Sequence, residues 1–130
     1  MRQIVFLLLP FVLGACQTNP FAEIPERLVM QVRTFEDVVR WGDLQKMYLF
    51  QRPDEAGSIE IPTGLDNVRV TGYDAGQLKK VSETRWTLSA VIDYVMTDRQ
   101  VVRQLVDHQV WVSDDEGKTW YRENPPPQFR

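Results

Sequence analysis

The chain has 130 residues, of which 43% are hydrophobic and 25% charged, with a formal net charge of −3. That length holds one domain and is short for a cofactor-binding α/β enzyme, and the mild acidity argues against general nucleic-acid binding, which needs a basic patch. A single cysteine, Cys16, excludes an internal disulfide and a cysteine-cluster metal site.

Residues 1–15 read as a leader rather than as part of a fold. Arg2 supplies a basic start, and Ile4 to Ala15 is an apolar run of about 12 residues interrupted by Pro10. A membrane-spanning helix needs roughly 20 such residues, so the pattern predicts a secretory signal peptide. Its end, Leu13-Gly14-Ala15-Cys16, resembles the bacterial lipobox. The resemblance implies cleavage before Cys16 and acylation of that cysteine, palmitate included. With Gln17 rather than Asp next, it also implies sorting to the outer membrane, facing the periplasm. Several acyl chains on one residue anchor firmly where a single chain would be marginal. Removing 15 residues from 130, with one basic residue among them, leaves 115 residues at a net charge of −4. The expected plan is a leader at 1–15, a lipidated tether at 16–24, one domain at 25–123 and a proline-rich tail at 124–130.

From Pro25 the pattern is helical, since proline in a first turn lacks only an N–H that has no partner there. Leu28, Val29, Val32, Phe35, Val38 and Val39 recur at three- and four-residue steps and predict one apolar stripe. Gly42-Asp43 breaks this helix, and Asp43 is placed to cap a shorter one carrying Leu44, Met47 and Tyr48, which Pro53 ends. Residues 51–66 contain two prolines, two glycines and four acidic residues and read as loop. The period then changes to two. Val68, Val70 and Gly72 begin a strand, and Asp74-Ala75-Gly76-Gln77 reads as a turn. In the stretch Thr84 to Thr97, Trp86, Leu88, Ala90, Ile92, Tyr94 and Met96 share one face, the mark of a half-buried strand. Val101–Val112 returns as a second long strand and Thr119–Glu123 as a short last one. Asn124-Pro125-Pro126-Pro127 ends the sheet, because proline cannot donate to a ladder, and the rest reads as a frayed terminus.

Two pairings of the long strands compete. A two-residue loop at Asp98-Arg99 sets Tyr94 opposite Arg103 and Trp86 opposite Trp111, and puts Arg103, Asp107 and Gln109 on the apolar face. A three-residue loop sets Ile92 opposite Val106 and brings Val102, Val106, Val110 and Val112 inward. The second segregates apolar residues better and is the expected register; a one-residue slip exchanges the two faces of the strand.

A helix or helix pair followed by an antiparallel meander of about four strands is an α+β layout, and strands this long should curl around the helix. The order of elements over Pro25–Tyr121, with Val39-Arg40-Trp41-Gly42-Asp43-Leu44 at the helix break, resembles the NTF2-like, or cystatin-like, class. With no segment for a third helix between strands, the resemblance implies a reduced member with a shallow cone. That class holds both enzymes and binding modules. Separately, Ser113-Asp114-Asp115-Glu116-Gly117-Lys118-Thr119-Trp120 resembles the Asp-box turn, S-x-D-x-G-x-T-W, of sialidase propellers. A propeller needs several four-stranded blades, so Ser113, Asp115, Gly117 and Trp120 are expected to build one structural hairpin.

Candidate chemistry is sparse. His108 is the only histidine. Ser89 could face it in the two-residue register, with Asp93 further along, but on a face open to water. One histidine with no EF-hand spacing gives no metal site, and no cofactor is expected. Tyr94 and Asp93 are similar to the pair used by ketosteroid-isomerase-like members of the class. Adjacent strand residues face opposite ways, so a pocket pair would have to join Tyr94 with Asp107 or Arg103. The aromatic residues Trp41, Trp86, Trp111, Trp120 and Tyr121 read first as core and turn packing. Trp86, Tyr94, His108 and Trp111 are the candidate contacts for a small apolar ligand or an envelope protein, Trp111 foremost because the expected register exposes it. The expectation is a membrane-anchored periplasmic lipoprotein of binding or scaffolding type. The alternatives are a small NTF2-like enzyme acting on an apolar substrate in the cone, or a structural subunit of an envelope assembly.

Overall fold

The first helix lays its apolar stripe against the sheet. In a computed structural model describing residues 23–56 and 58–130, helix α1 spans Glu26–Arg40 and buries Leu28, Val32, Phe35 and Val39. The leader, the lipobox and Cys16 lie outside the described residues, as does most of the tether. Gly42, at φ +76°, takes the left-handed conformation that ends the helix, and the amides of Gly42 and Asp43 donate back to the carbonyls of Val39 and Val38. The second helix is a 3₁₀ segment, Leu44–Phe50, burying Leu44, Met47, Tyr48 and Phe50. Asp43 does not cap it with its side chain, which pairs with Lys46 instead. Pro53 opens a one-turn helix, α2 (Pro53–Ala56), within the stretch read as loop.

The sheet has five strands: β1 (Val68–Ala75), β2 (Lys79–Ser82), β3 (Arg85–Met96), β4 (Val101–Val112) and β5 (Tyr121–Arg122). The order is β1-β3-β4-β5, and β2 also pairs with β3. β1 and β2 lie along one edge of β3, with Ala75 opposite Ala90 and Lys79 opposite Thr87. The segment 74–77, read as a turn, therefore does not reverse the chain; it interrupts a strand that continues along β3. Gly76 donates to the Ser89 carbonyl at 2.8 Å, and a Cβ there would sit 2.9 Å from that oxygen, so the interruption requires glycine. A second irregularity between Val70 and Gly72 shifts the side-chain alternation. As a result Tyr73 points inward, 6% exposed, where strict alternation from Val68 and Val70 would turn it outward.

The β3–β4 pairing corrects the expected register. Tyr94 lies opposite Arg103, Ala90 opposite Asp107 and Trp86 opposite Trp111, the pairing of the two-residue loop. Of the four valines expected inward, Val102 and Val106 are 76% and 52% exposed, Val110 is half-buried and Val112 is buried, while Asp107, Gln109 and Trp111 are buried. The cause is a polar network that hydropathy alone counts as a penalty. Arg122 Nη1 and Nη2 donate to Asp107 Oδ2 and Oδ1 at 2.7 and 2.5 Å, and both side chains are almost completely buried. Arg122 Nε and Nη2 also donate to the carbonyls of Asn124 and Pro125. Gln109 Nε2 donates to Tyr73 Oη at 2.8 Å and to Asp107 Oδ2 at 3.1 Å, and its Oε1 accepts from Trp111 Nε1 at 3.0 Å. With these partners in place the polar residues can occupy the helix-facing side.

The aromatic residues divide accordingly. Trp111, the foremost contact candidate, is fully buried, edge-to-face with Phe35 at 5.7 Å and Phe50 at 6.1 Å. Trp41 is 85% exposed rather than core, because it follows the last buried turn of α1. The C-terminal segment is not frayed. Pro126 is buried, the Phe129 ring packs edge-to-face on Tyr94 at 4.9 Å, and Tyr94 Oη bonds the Arg130 backbone.

Breaking the buried pair on one side strands the other charge. Arg122→Met should cost about 3–5 kcal/mol, and the double variant Arg122→Met/Asp107→Leu should recover most of that, as read from urea unfolding. An Arg122→Met chain as stable as the parent would show that the pair does not set the register.

Candidate functional site

Three of the residues singled out from the sequence are spent on packing. Trp86 is 2% exposed, and its indole N–H has no hydrogen-bond partner among the described residues. Trp111 is locked in the network above, and Tyr94 is covered by Phe129. None of the three presents a face to a ligand. His108 is exposed, and its Nδ1 lies 2.8 Å from Ser89 Oγ, a cross-strand contact that the observed register creates. Asp93, further along β3, accepts from Gln104 Nε2 instead. Among the described residues the Ser89–His108 pair thus has no carboxylate to orient the imidazole, and it sits on an open sheet face.

The Asp-box-like segment forms a closed set of local bonds. Ser113 Oγ donates to Asp115 Oδ1 at 2.9 Å and accepts from Gly117 N at 2.8 Å. Asp115 Oδ1 also accepts from Thr119 N at 2.7 Å. Gly117 has φ +86°, and Trp120 folds back so that its Nε1 donates to the Gly117 carbonyl at 3.2 Å. The turn is fastened outward as well. Arg27 and Gln31 of α1 donate to the carbonyls of Lys118 and Trp120, and Arg52 forms a bidentate pair with Asp114. Hydrogen bonds from the Thr119 side chain and amide hold the Asp115 carboxyl down at about 2, and the Arg52 guanidinium lowers that of Asp114. Each of these groups is bound to another part of the chain, as in a turn that fixes structure.

The open space lies elsewhere, at the end of the sheet carrying the β3–β4 turn. A cleft of about 530 Å³ is bounded by residues 62–67, by the β3–β4 turn with Arg103, and by residues 127–130. Its walls are tied to one another. Thr97 donates through both N and Oγ1 to the Asn67 carbonyl, at 2.7 and 3.0 Å, and Tyr94 Oη holds Arg130. Gly64, at φ +86°, turns the chain into the 3₁₀ segment Leu65–Asn67. Pro62, Pro127 and Phe129 contribute apolar surface beside the buried Leu65 and Met96, and Arg99, Arg103 and Arg130 contribute three guanidiniums against two carboxylates, the side chain of Asp98 and the terminal carboxylate on Arg130. Arg103 reaches this side of β4 because of the observed register; the alternative pairing would put it on the opposite face. Among the candidates from the sequence analysis only Tyr94 adjoins the cleft, from beneath Phe129.

Among the described residues no three His, Cys, Asp or Glu side chains gather as they would around a metal ion, and no helix is long and apolar enough to cross a membrane. No family model, curated protein or solved structure matches the chain.

Two outcomes test the hairpin. Gly117→Val should lower stability by about 1 kcal/mol or more, because a β-branched residue resists positive φ; an unchanged melting temperature would contradict the turn geometry. The ionised Asp115 stabilises the folded hairpin above its ordinary value of 3.8, and that support is lost as pH falls from there toward about 2. Trp120 fluorescence should therefore report hairpin opening across that window, with a smaller acid response in Asp115→Asn.

Proposed function

We propose that the chain is a lipid-anchored protein of the bacterial envelope whose domain binds or scaffolds without chemistry. The anchor is Cys16, behind Leu13-Gly14-Ala15 and an apolar leader, and the location is the periplasmic face of the outer membrane. The domain is a reduced NTF2-like, cystatin-like unit: one long helix and a short 3₁₀ segment against an antiparallel sheet, with no third helix between strands.

The observation that carries the binding reading is how ionisable groups are distributed. Asp107, Arg122 and Tyr73 lie inside the domain bonded to one another or to Gln109, and burial pushes the Tyr73 phenol up to about 12. A small enzyme working between helix and sheet would need an acid or base facing open space there. The guanidiniums of Arg99, Arg103 and Arg130, none of them in a bidentate carboxylate pair among the described residues, line an open cleft instead, which suits recognition. The structural-subunit reading draws on a different observation: Val102 and Val106 stand exposed on the outer face of β4, beside Val95 and Val91 of β3. A partner in an assembly could cover that strip.

Cys16→Ser should shift the protein out of the membrane fraction and abolish incorporation of labelled palmitate, followed by fractionation and autoradiography. Unchanged membrane association would overturn the anchor.

A further inference from the structure

We propose that the cleft beside the β3–β4 turn binds an anionic amphiphile, a carboxylate or phosphate carried on an apolar chain. This names the ligand class of the binding reading above and rests on it.

The first support is the state of the arginines. Elsewhere in the domain Arg40, Arg52, Arg85 and Arg122 each donate to a carboxylate within 3.0 Å and Arg27 donates to the Lys118 carbonyl; Arg33 and Arg69 have no such partner among the described residues but stand singly, whereas the cleft gathers three guanidiniums. Arg103 has no ion-pair or hydrogen-bond partner among the described residues. Arg99 has only its sequence neighbour Asp98, with Nε at 3.7 Å, beyond hydrogen-bond distance. Arg130 spends one donor on Gln128 Oε1. Three guanidiniums in one cleft outnumber its carboxylates and bias its potential positive, and their planar forks match a carboxylate or a phosphate. A bound anion would satisfy the remaining donors.

The second support is the rest of the wall. Pro62, Pro127 and Phe129, exposed or half-buried, place apolar surface next to the guanidiniums; Leu65 and Met96 also line the cleft but are themselves buried. A bare inorganic ion would leave that surface in water, whereas an attached alkyl chain would cover it, with a gain proportional to the area removed from water. The cleft volume of about 530 Å³ falls within the roughly 300–1,000 Å³ typical of small-molecule sites. The walls are already tied through Thr97–Asn67 and Tyr94–Arg130, so little ordering is needed on binding.

The test is calorimetric titration of the full-length protein in a neutral detergent with hexyl phosphate and hexanoate. Inorganic phosphate and hexanol serve as half-ligands, each carrying one feature alone. Saturable binding of either amphiphile, at least about tenfold tighter than both half-ligands and lost in Arg99→Glu/Arg103→Glu, is the expected result. Both substituted arginines are exposed, and an unchanged near-ultraviolet circular dichroism spectrum of the variant would establish that it is folded. Phe129→Ala should weaken the amphiphiles and leave inorganic phosphate unaffected. Inorganic phosphate binding as tightly as hexyl phosphate would overturn the amphiphile assignment, and equal binding by the charge-reversed variant would overturn the role of the guanidiniums. Absence of saturable binding, in a chain that still depends on Cys16 for membrane association, would overturn the ligand class while leaving the anchor in place. Amphiphile binding by a chain whose membrane association ignores Cys16 would support the cleft and reject the anchor.

Discussion

The fold depends on one buried ion pair. Arg122 and Asp107 are both nearly inaccessible to water, and removing two charges from water costs several kcal/mol apiece unless the geometry compensates. Here it does: the pair is bidentate, two backbone carbonyls take further guanidinium donors, and Gln109 supplies another bond to the carboxylate. The guanidinium also lies over the Phe35 ring, 5.1 Å from its centroid. Through these contacts β4, β5, the start of the C-terminal segment and α1 converge on one charge. β5 is only two residues long, too short to hold its place by a ladder alone. Arg122 fixes it from the side-chain direction.

The pair also dictates which way β4 faces. Once Asp107 must be inside to meet Arg122, the odd-numbered residues of β4 turn toward the helix side and the even-numbered ones away, with Val112 at the strand's end buried all the same. Trp111 then reaches Phe35 and Phe50, Gln109 reaches Tyr73, and Arg103 arrives at the end of the same face where the packed interior gives way to the cleft. Val102 and Val106 are left in solvent by the same rule. A buried electrostatic requirement has thus produced both an exposed apolar strip and an inward row of polar residues, the reverse of what hydrophobic sorting would choose.

The same contacts connect the interior to the rim. Arg122 holds the carbonyls of Asn124 and Pro125, and Asn124 in turn bonds the β4 backbone at His108 and Val110. The chain then runs on to Phe129, which closes over Tyr94 and forms part of the cleft wall. The acidic domain accordingly carries a local basic surface whose position follows from the network rather than from composition. Its three guanidiniums come from the β3–β4 turn, from β4 and from the last residue of the chain, and no run of basic residues in the sequence announces them.

What the sequence determined by itself was local. The stripe on α1, the glycine break at Gly42, the period-two strands and the hairpin from Ser113 to Trp120 each depend on residues a few positions apart, whose spacing encodes the contact. The α+β layout follows from their order. The register, the site and the fate of the tail were decided only in three dimensions. The two registers differ by a single residue, and hydropathy favours the wrong one because Asp107 and Gln109 look misplaced until Arg122 and Tyr73 are seen beside them. Tyr73 itself faces inward through an irregularity at Val70/Gly72 that its sequence does not mark, and the break at Gly76 reads as a turn because glycine serves both purposes. Polar groups from distant parts of the chain satisfy one another only after folding has removed water from between them, so their pairing is a property of the tertiary structure and not of any segment alone.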